Sequence, residues 1–164
     1  MVTEKEEAVS SNSGLAEATL AKTVDELELV EAWYDDDPTV RVRFGLGLDA
    51  SAGAGSSSLV YLEVSPGHRT PWHTHSAEEL VYVIEGRAEA RVDDERIQLE
   101  AGGMALVPPN APHGVWNVGD GTLRFLAFFA AAAMIHTFDQ PLMPLASRVF
   151  VTPNPDEFPV VPAL

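Results

Sequence analysis

His73 and His75 stand two residues apart, Glu79 follows after a short break, and a further histidine, His113, lies well downstream. If residues 72–75 are extended, both imidazoles project from one face, because side chains at i and i+2 share a side of a strand. A carboxylate arriving across Ser76-Ala77 completes a facial set and brings the negative charge that a divalent cation favours. His113 can supply a fourth ligand. Val107-Pro108-Pro109-Asn110-Ala111-Pro112 stops one strand, and a hairpin connection is expected to return the chain beside the first pair with His113 at its start. Four protein ligands on an ion that prefers octahedral geometry leave two positions for water, dioxygen or a chelating substrate, as a catalytic site requires. The chain has no cysteine, so disulfides and thiolate ligation are excluded and an ion must be held through nitrogen and oxygen.

The elements around these residues read as short strands. Thr39–Leu48 alternates, with Val40, Val42, Phe44, Leu46 and Leu48 on one face and Arg41 and Arg43 on the other, the period of a half-buried strand. Ser58–Val64 is a second strand, ended by Ser65-Pro66-Gly67. Leu80–Ile84 is apolar at every position and reads as a central strand covered on both faces; Arg87–Val92 alternates again and turns through Asp93-Asp94-Glu95 into Ile97 and Leu99. Met104–Val107 and Leu123–Ala130 complete the set, and Leu27–Trp33 reads as a strand in preference to a helical turn. Many short strands separated by turn residues, without sustained helical periodicity, predict an all-β antiparallel sandwich or jelly-roll barrel.

Charge and composition narrow the function. The chain has 164 residues, 46% of them hydrophobic, which suits one domain with a proper core. Its net charge of −15 repels phosphate backbones and anionic membranes, so nucleic-acid and membrane partners are not expected. Much of that charge is local, since residues 1–37 carry eleven acidic side chains against Lys5 and Lys22. Residues 1–22 read as a flexible acidic arm, 23–135 as the barrel, and 136–164 as an extended tail, because six of the twelve prolines lie from Pro141 to Pro162. The N-terminus lacks a basic region followed by an apolar one, and Leu123–Ile135 is too short to span a bilayer and is interrupted by Arg124, so a cytoplasmic location is expected.

Two spaced motifs give the chain a close resemblance to the cupin superfamily, of the small single-domain, quercetinase-like type. The first is Gly67, five residues, His73-Thr74-His75, three residues, Glu79, six residues, Gly86. The second is Gly102, five residues, Pro108, one residue, Asn110, two residues, His113, three residues, Asn117, departing only in Asn110 where the family has glycine. Asn tolerates the left-handed region better than other non-glycine residues, so the turn survives. The spacing to Gly86 selects Glu79 over its neighbour Glu78 as the ligand.

The resemblance covers roughly Thr39 to Ala130. It implies a double-stranded β-helix with a divalent metal on His73, His75, Glu79 and His113 near one mouth, and a homodimer. Imidazole and carboxylate suit several first-row ions. Fe(II) is the first expectation, with Ni, Mn, Co, Zn or Cu as the others. Glu79 is a ligand, or a general base towards a substrate hydroxyl. Similarity to flavonol- and diketone-cleaving cupins implies a dioxygenase acting on a small enolisable substrate. The alternatives are a non-oxidative isomerase, cyclase or decarboxylase using the metal as a Lewis acid, and a non-catalytic binding cupin. His68 reads as solvated, His136 as a satisfied histidine near the rim, and Arg124 as a surface ion pair. Of Trp72, Trp116, Phe125, Phe128, Phe129 and Met104, about two are expected to line the cavity.

Overall fold

Alternating strands with one apolar face bury that face only against another such sheet, and the computed structural model of residues 21–152 consists of two sheets packed in this way. The strands are β1 (Val30–Trp33), β2 (Arg41–Leu46), β3 (Ser58–Val64), β4 (His73–His75), β5 (Glu79–Glu85), β6 (Arg87–Val92), β7 (Glu95–Glu100), β8 (Met104–Val107), β9 (His113–Asn117), β10 (Leu123–Phe129), β11 (Met134–Leu142) and β12 (Ser147–Thr152). One sheet has the order β1-β2-β3-β10-β5-β8 and the other β12-β11-β4-β9-β6-β7, with antiparallel pairing between the strands of each. This is the expected jelly-roll architecture. Among the described residues no helix is long and apolar enough to cross a membrane.

The inward faces of the two sheets make the core. Val42 of β2, Val64 of β3, Val81 and Val83 of β5, Ala88 and Ala90 of β6, Val115 of β9 and Phe125 of β10 are all buried there. Outward Arg41 and Arg43 pair with Glu31 at 3.2 Å and Glu63 at 3.0 Å, so the alternation read in β2 holds on both faces. The β6–β7 hairpin closes through Asp93-Asp94, with Asp93 at φ +50°, a left-handed turn position that Asp tolerates.

Four readings change. The segment before Trp33 divides into a 3-10 turn at Val24–Glu26 and the strand β1, so the helical and extended alternatives each hold for part of it. Strand β5 lies inside its sheet, between β10 and β8, but only one face is covered: Leu80, Tyr82 and Ile84 point outward and are exposed. His113 does not reach the site by a hairpin. The loop from Pro108 to Pro112 crosses from β8 in one sheet to β9 in the other, where His113 pairs with His73 of β4.

The chain beyond Ile135 is not a wrapping tail up to residue 152. β11 pairs with β4 and with β12, and both belong to the second sheet. Only Pro141 and Pro144 fall there, and Pro141 lies in the interval where the β11–β12 register shifts, so neither breaks the ladder from Met134 to Thr137. The reading of residues 1–22 as an arm falls almost wholly outside the described residues, as does that of 153–164 as a tail.

Candidate metal centre

Each candidate ligand is held by a distinct piece of backbone. His73 and His75 occupy both ends of the three-residue strand β4, on one face as the spacing predicts, with their Nε2 atoms 3.0 Å apart. Glu79 opens β5 in the opposite sheet. Gly86 ends that strand at φ +93°, where an added Cβ would meet the backbone of Leu123 at 3.0 Å, so both conformation and space require glycine. Asn110 adopts φ +62°, as expected of its glycine position, and its N–H donates to the His75 carbonyl at 2.8 Å, tying the second motif to the first.

The four side chains converge, their nearest ligand atoms all lying within 4.8 Å of one another. Glu79 Oε2 is 3.2 Å from His75 Nε2 and 2.8 Å from His113 Nε2. The His73 Nδ1–H donates to the Pro71 carbonyl at 2.8 Å and the His113 Nδ1–H to the Ala111 carbonyl at 2.9 Å, which leaves each Nε2 as a lone pair aimed inward. Glu79 Oε2 and His113 Nε2 are close, yet neither makes a hydrogen bond of acceptable angle, and both are fully shielded from solvent. An orphaned buried polar atom costs about 1–3 kcal/mol, and a cation at the point of convergence removes that cost. Two ligands about 2.1 Å from one ion lie about 3.0 Å apart at octahedral angles and about 3.4 Å apart at tetrahedral ones. The separations of 2.8–3.2 Å are short enough for these atoms to share one ion. The donor set therefore suits a divalent ion.

Electrostatics agree with the geometry. Burial keeps His73 well below the ordinary histidine range and lowers His75, so both are neutral donors. Burial also opposes ionisation of Glu79, but its contacts with His113 and His75 prevail and hold the carboxyl well below its usual range. His113 is desolvated too, and the facing Glu79 carboxylate nevertheless raises it. The centre thus sets the Glu79 carboxylate among two neutral imidazoles and a His113 ring that the carboxylate draws towards protonation.

The centre forms part of the wall of a cavity of about 90 Å³ between the sheets. Phe125, Phe129, Phe138 and Phe150 supply much of the rest of that wall, so two of the six aromatic and Met candidates, Phe125 and Phe129, line it. Phe128 and Met104 face outward and are exposed, and Trp72 packs with Trp116 at 6.2 Å away from the cavity lining. Glu78 is exposed, Arg124 forms ion pairs with Glu63 and Glu85, and His68 lies outside the ligand cluster.

His136 is a satisfied histidine as read, but sequence reasoning missed that it lines the cavity together with Thr152. Both are buried in the cavity wall, where His136 Nε2 and Thr152 Oγ1 are hydrogen-bonded and the His136 ring meets His75 edge-on at 4.6 Å. Burial, with a smaller contribution from His75, pushes His136 down to about 3, so it is neutral. Met134, His136 and Phe138 are buried while Ile135, Thr137 and Asp139 are exposed. That period of two would have exposed the role of His136 had residues 134–142 been read as a strand.

Comparison with known proteins places these features in a family. Residues 60–129 match the model of the cupin domain. The chain is 36% identical over 98 residues to protein SchB of Streptomyces halstedii, a match covering 57% of this chain and 71% of that protein. It is 36% identical over 77 residues to polyketide synthase CurC of Streptomyces cyaneus, covering 46% and 50% of the two chains. Among solved structures, the polyketide cyclase RemF of Streptomyces resistomycificus superposes with a TM-score of 0.55 at 26% identity, covering 68% of this chain and 79% of that one. For the first curated relatives the match spans about half of their length, 56% and 50%. With two motif-bearing strand pairs, a jelly-roll scaffold and a relative matched over most of its length, the chain belongs to the cupin family.

Proposed function

We propose that the chain is a metal-dependent enzyme acting on a small enolisable carbonyl or phenolic substrate, and that the reaction is non-oxidative, a cyclisation or related carbon–carbon rearrangement. The observation that carries this reading is the pairing of one ionic cluster with a largely apolar cavity. About 90 Å³ holds roughly six to nine water-sized positions, enough for a single ring or a dicarbonyl group, not for a large polar ligand. The likeness to a polyketide cyclase and to a polyketide synthase protein supports the same substrate class.

A divalent ion bound by His73, His75, Glu79 and His113 would supply Lewis acidity to a substrate oxygen, stabilising an enolate. The chain's own residues supply the rest. Pro71 and Ala111 fix two imidazole tautomers through their carbonyls, so those rings arrive oriented. The phenylalanine wall excludes water and strengthens each polar contact made inside. Glu79 is assigned to holding the ion. A carboxyl held well below its usual range is a weak proton acceptor, which disfavours it as the general base. The neutral His136–Thr152 pair adds a hydrogen-bonding spot next to His75 without adding charge.

The expected dioxygenase is the second reading, since two further positions on a six-coordinate ion serve dioxygen as well as substrate oxygen. Full-length protein loaded separately with Fe(II), Mn(II), Co(II), Ni(II) and Zn(II) should be offered β-diketones and polyphenols with and without air. Anaerobic turnover with at least one ion supports the proposal. Oxygen uptake with isotopic label in the product establishes the oxygenase instead, and no turnover with any ion leaves a binding protein.

A further inference from the structure

Strand register sets a second polar feature beside the metal centre. His136 stands opposite His75 across β11 and β4, and the two rings are 4.6 Å apart between centres. Phe150 of β12 is the cross-strand partner of His136, and Thr152 lies two residues further on, so its side chain projects from the same inward face. Outside the ligand cluster the cavity wall carries three polar side chains among the described residues, Thr70, His136 and Thr152. Thr70 is committed to the backbone: its hydroxyl accepts from the Val115 N–H at 2.9 Å and donates to the Pro71 carbonyl at 3.3 Å. The other two are not. A neutral imidazole carries one N–H and a threonine one O–H, so the pair brings two donor hydrogens to the single bond between Nε2 and Oγ1. If the ring donates, the hydroxyl hydrogen is left over; if the hydroxyl donates, the hydrogen left over is on Nδ1. One donor is therefore free in either tautomer, and neither Nδ1 nor Oγ1 makes a further hydrogen bond among the described residues. Buried donors normally have acceptors, and the Phe44, Leu62, Phe125 and Phe129 side chains of the first sheet, which line the same cavity, offer none.

We propose that the His136–Thr152 pair donates this hydrogen to a second oxygen of the substrate, so that the cavity selects small molecules with two oxygens, one held at the metal centre and the other a carbonyl or enolate acceptor turned towards β11 and β12. The inference rests on the reading of the cavity as the site of a small enolisable substrate and adds what that substrate must carry. A ligand with a single oxygen can reach the same centre, but it leaves the donor without an acceptor inside an apolar wall, and a missing partner of that kind is where a polar site discriminates. His75 and His136 are near enough for one six-membered ring to reach from the ligand cluster to the pair. Both residues of the pair lie beyond 60–129, the stretch matched by the cupin domain model. Selectivity is thereby placed on strands separate from those that hold the ion, and either can change without the other.

Binding to full-length protein loaded with Zn(II), which has no redox chemistry, tests the pair apart from turnover. Cyclohexane-1,3-dione and phenol share a ring size and an oxygen for the ion, but only the dione presents a second acceptor. In calorimetric titrations His136→Phe/Thr152→Val should weaken the dione about tenfold, the loss of one hydrogen bond, and leave phenol unchanged. Zinc content by elemental analysis and circular dichroism should match the parent. Equal weakening of both ligands would make the pair a structural support and overturn the inference, as would a variant that keeps the parent's affinity for the dione. Should that variant not fold, the parent chain decides. The ring nitrogen resonances of His136, assigned by their absence from His136→Gln protein, should move when the dione binds and hold still when phenol binds; movement with both or with neither overturns the inference. A parent chain that binds neither ligand removes the reading of the cavity and this inference with it. The expected loss of dione selectivity in a protein that turns nothing over sinks the enzymatic reading alone.

Discussion

Strand β10 carries two apolar faces with different fates. Leu123, Phe125, Ala127 and Phe129 point between the sheets at 0–3% exposure, whereas Phe128 on the reverse is 40% exposed. Strand β5 repeats the division, with Val81 and Val83 inside and Leu80, Tyr82 and Ile84 outside. Apart from Arg124 the outward residues of these two strands within the sheet are as large and apolar as the inward ones, but among the described residues only the inner face is covered. The inner face also breaks its own rule at one place, where His75, Glu79 and His113 are buried among apolar groups. Buried polarity inside points to an ion, whereas the apolar outer face has no cover among the described residues.

The sharpest way to separate the faces is to cut the same side chain from each. Phe125→Ala removes a fully buried ring and should cost about 3–5 kcal/mol in urea denaturation. The next largest effect is acid sensitivity of the metal-free inner face. His136 titrates near 3 in the fold and near 6.5 unfolded, so only the unfolded chain takes up its proton between those values. The stability His136 contributes is therefore present above about pH 6.5 and lost as pH falls towards 3. At about pH 4 the loss is about 3 kcal/mol, and the lowered His73 and His75 act in the same direction. Glu79, also held low, adds to the loss at still lower pH, whereas the raised His113 works in the opposite sense. His136→Gln should flatten the acid limb of an apo stability-against-pH curve, while Arg124→Gln on the outer face should leave it unchanged.

A third test concerns the ion. His113→Ala should weaken Co(II) or Zn(II) binding at least about 100-fold, since even residues behind the ligands are worth 10–100-fold. His136→Ala should leave the stoichiometry intact in elemental analysis after dialysis. Retention of a full equivalent by His113→Ala would remove β9 from the centre.

How much of this was readable in the sequence follows the same division. The centre was legible because its spacing reflects hard geometry: His73 and His75 on one face, a left-handed turn at Asn110, and glycine at 86 where Leu123 leaves no room. Strands β2, β6 and β7 were legible because their outward side chains are polar. β5 was misread because an apolar outer face looks like a buried one until the neighbouring sheet is placed. β11 and β12 were lost because prolines were counted over the whole segment from Pro141 to Pro162, although only Pro141 and Pro144 precede residue 153. The route of His113 was also out of reach, since local turn residues do not reveal that a loop changes sheets.

The smallest expected effect is the counterpart of the first. Phe128→Ala, on the outer face of the same strand as Phe125, should cost the isolated monomer about 1 kcal/mol or less, because its ring is already partly in water and its loss opens no internal cavity. Urea midpoints of the parent and of the two variants give both costs directly. A Phe128→Ala cost as large as that of Phe125→Ala would show that the outer face is covered as fully as the inner one.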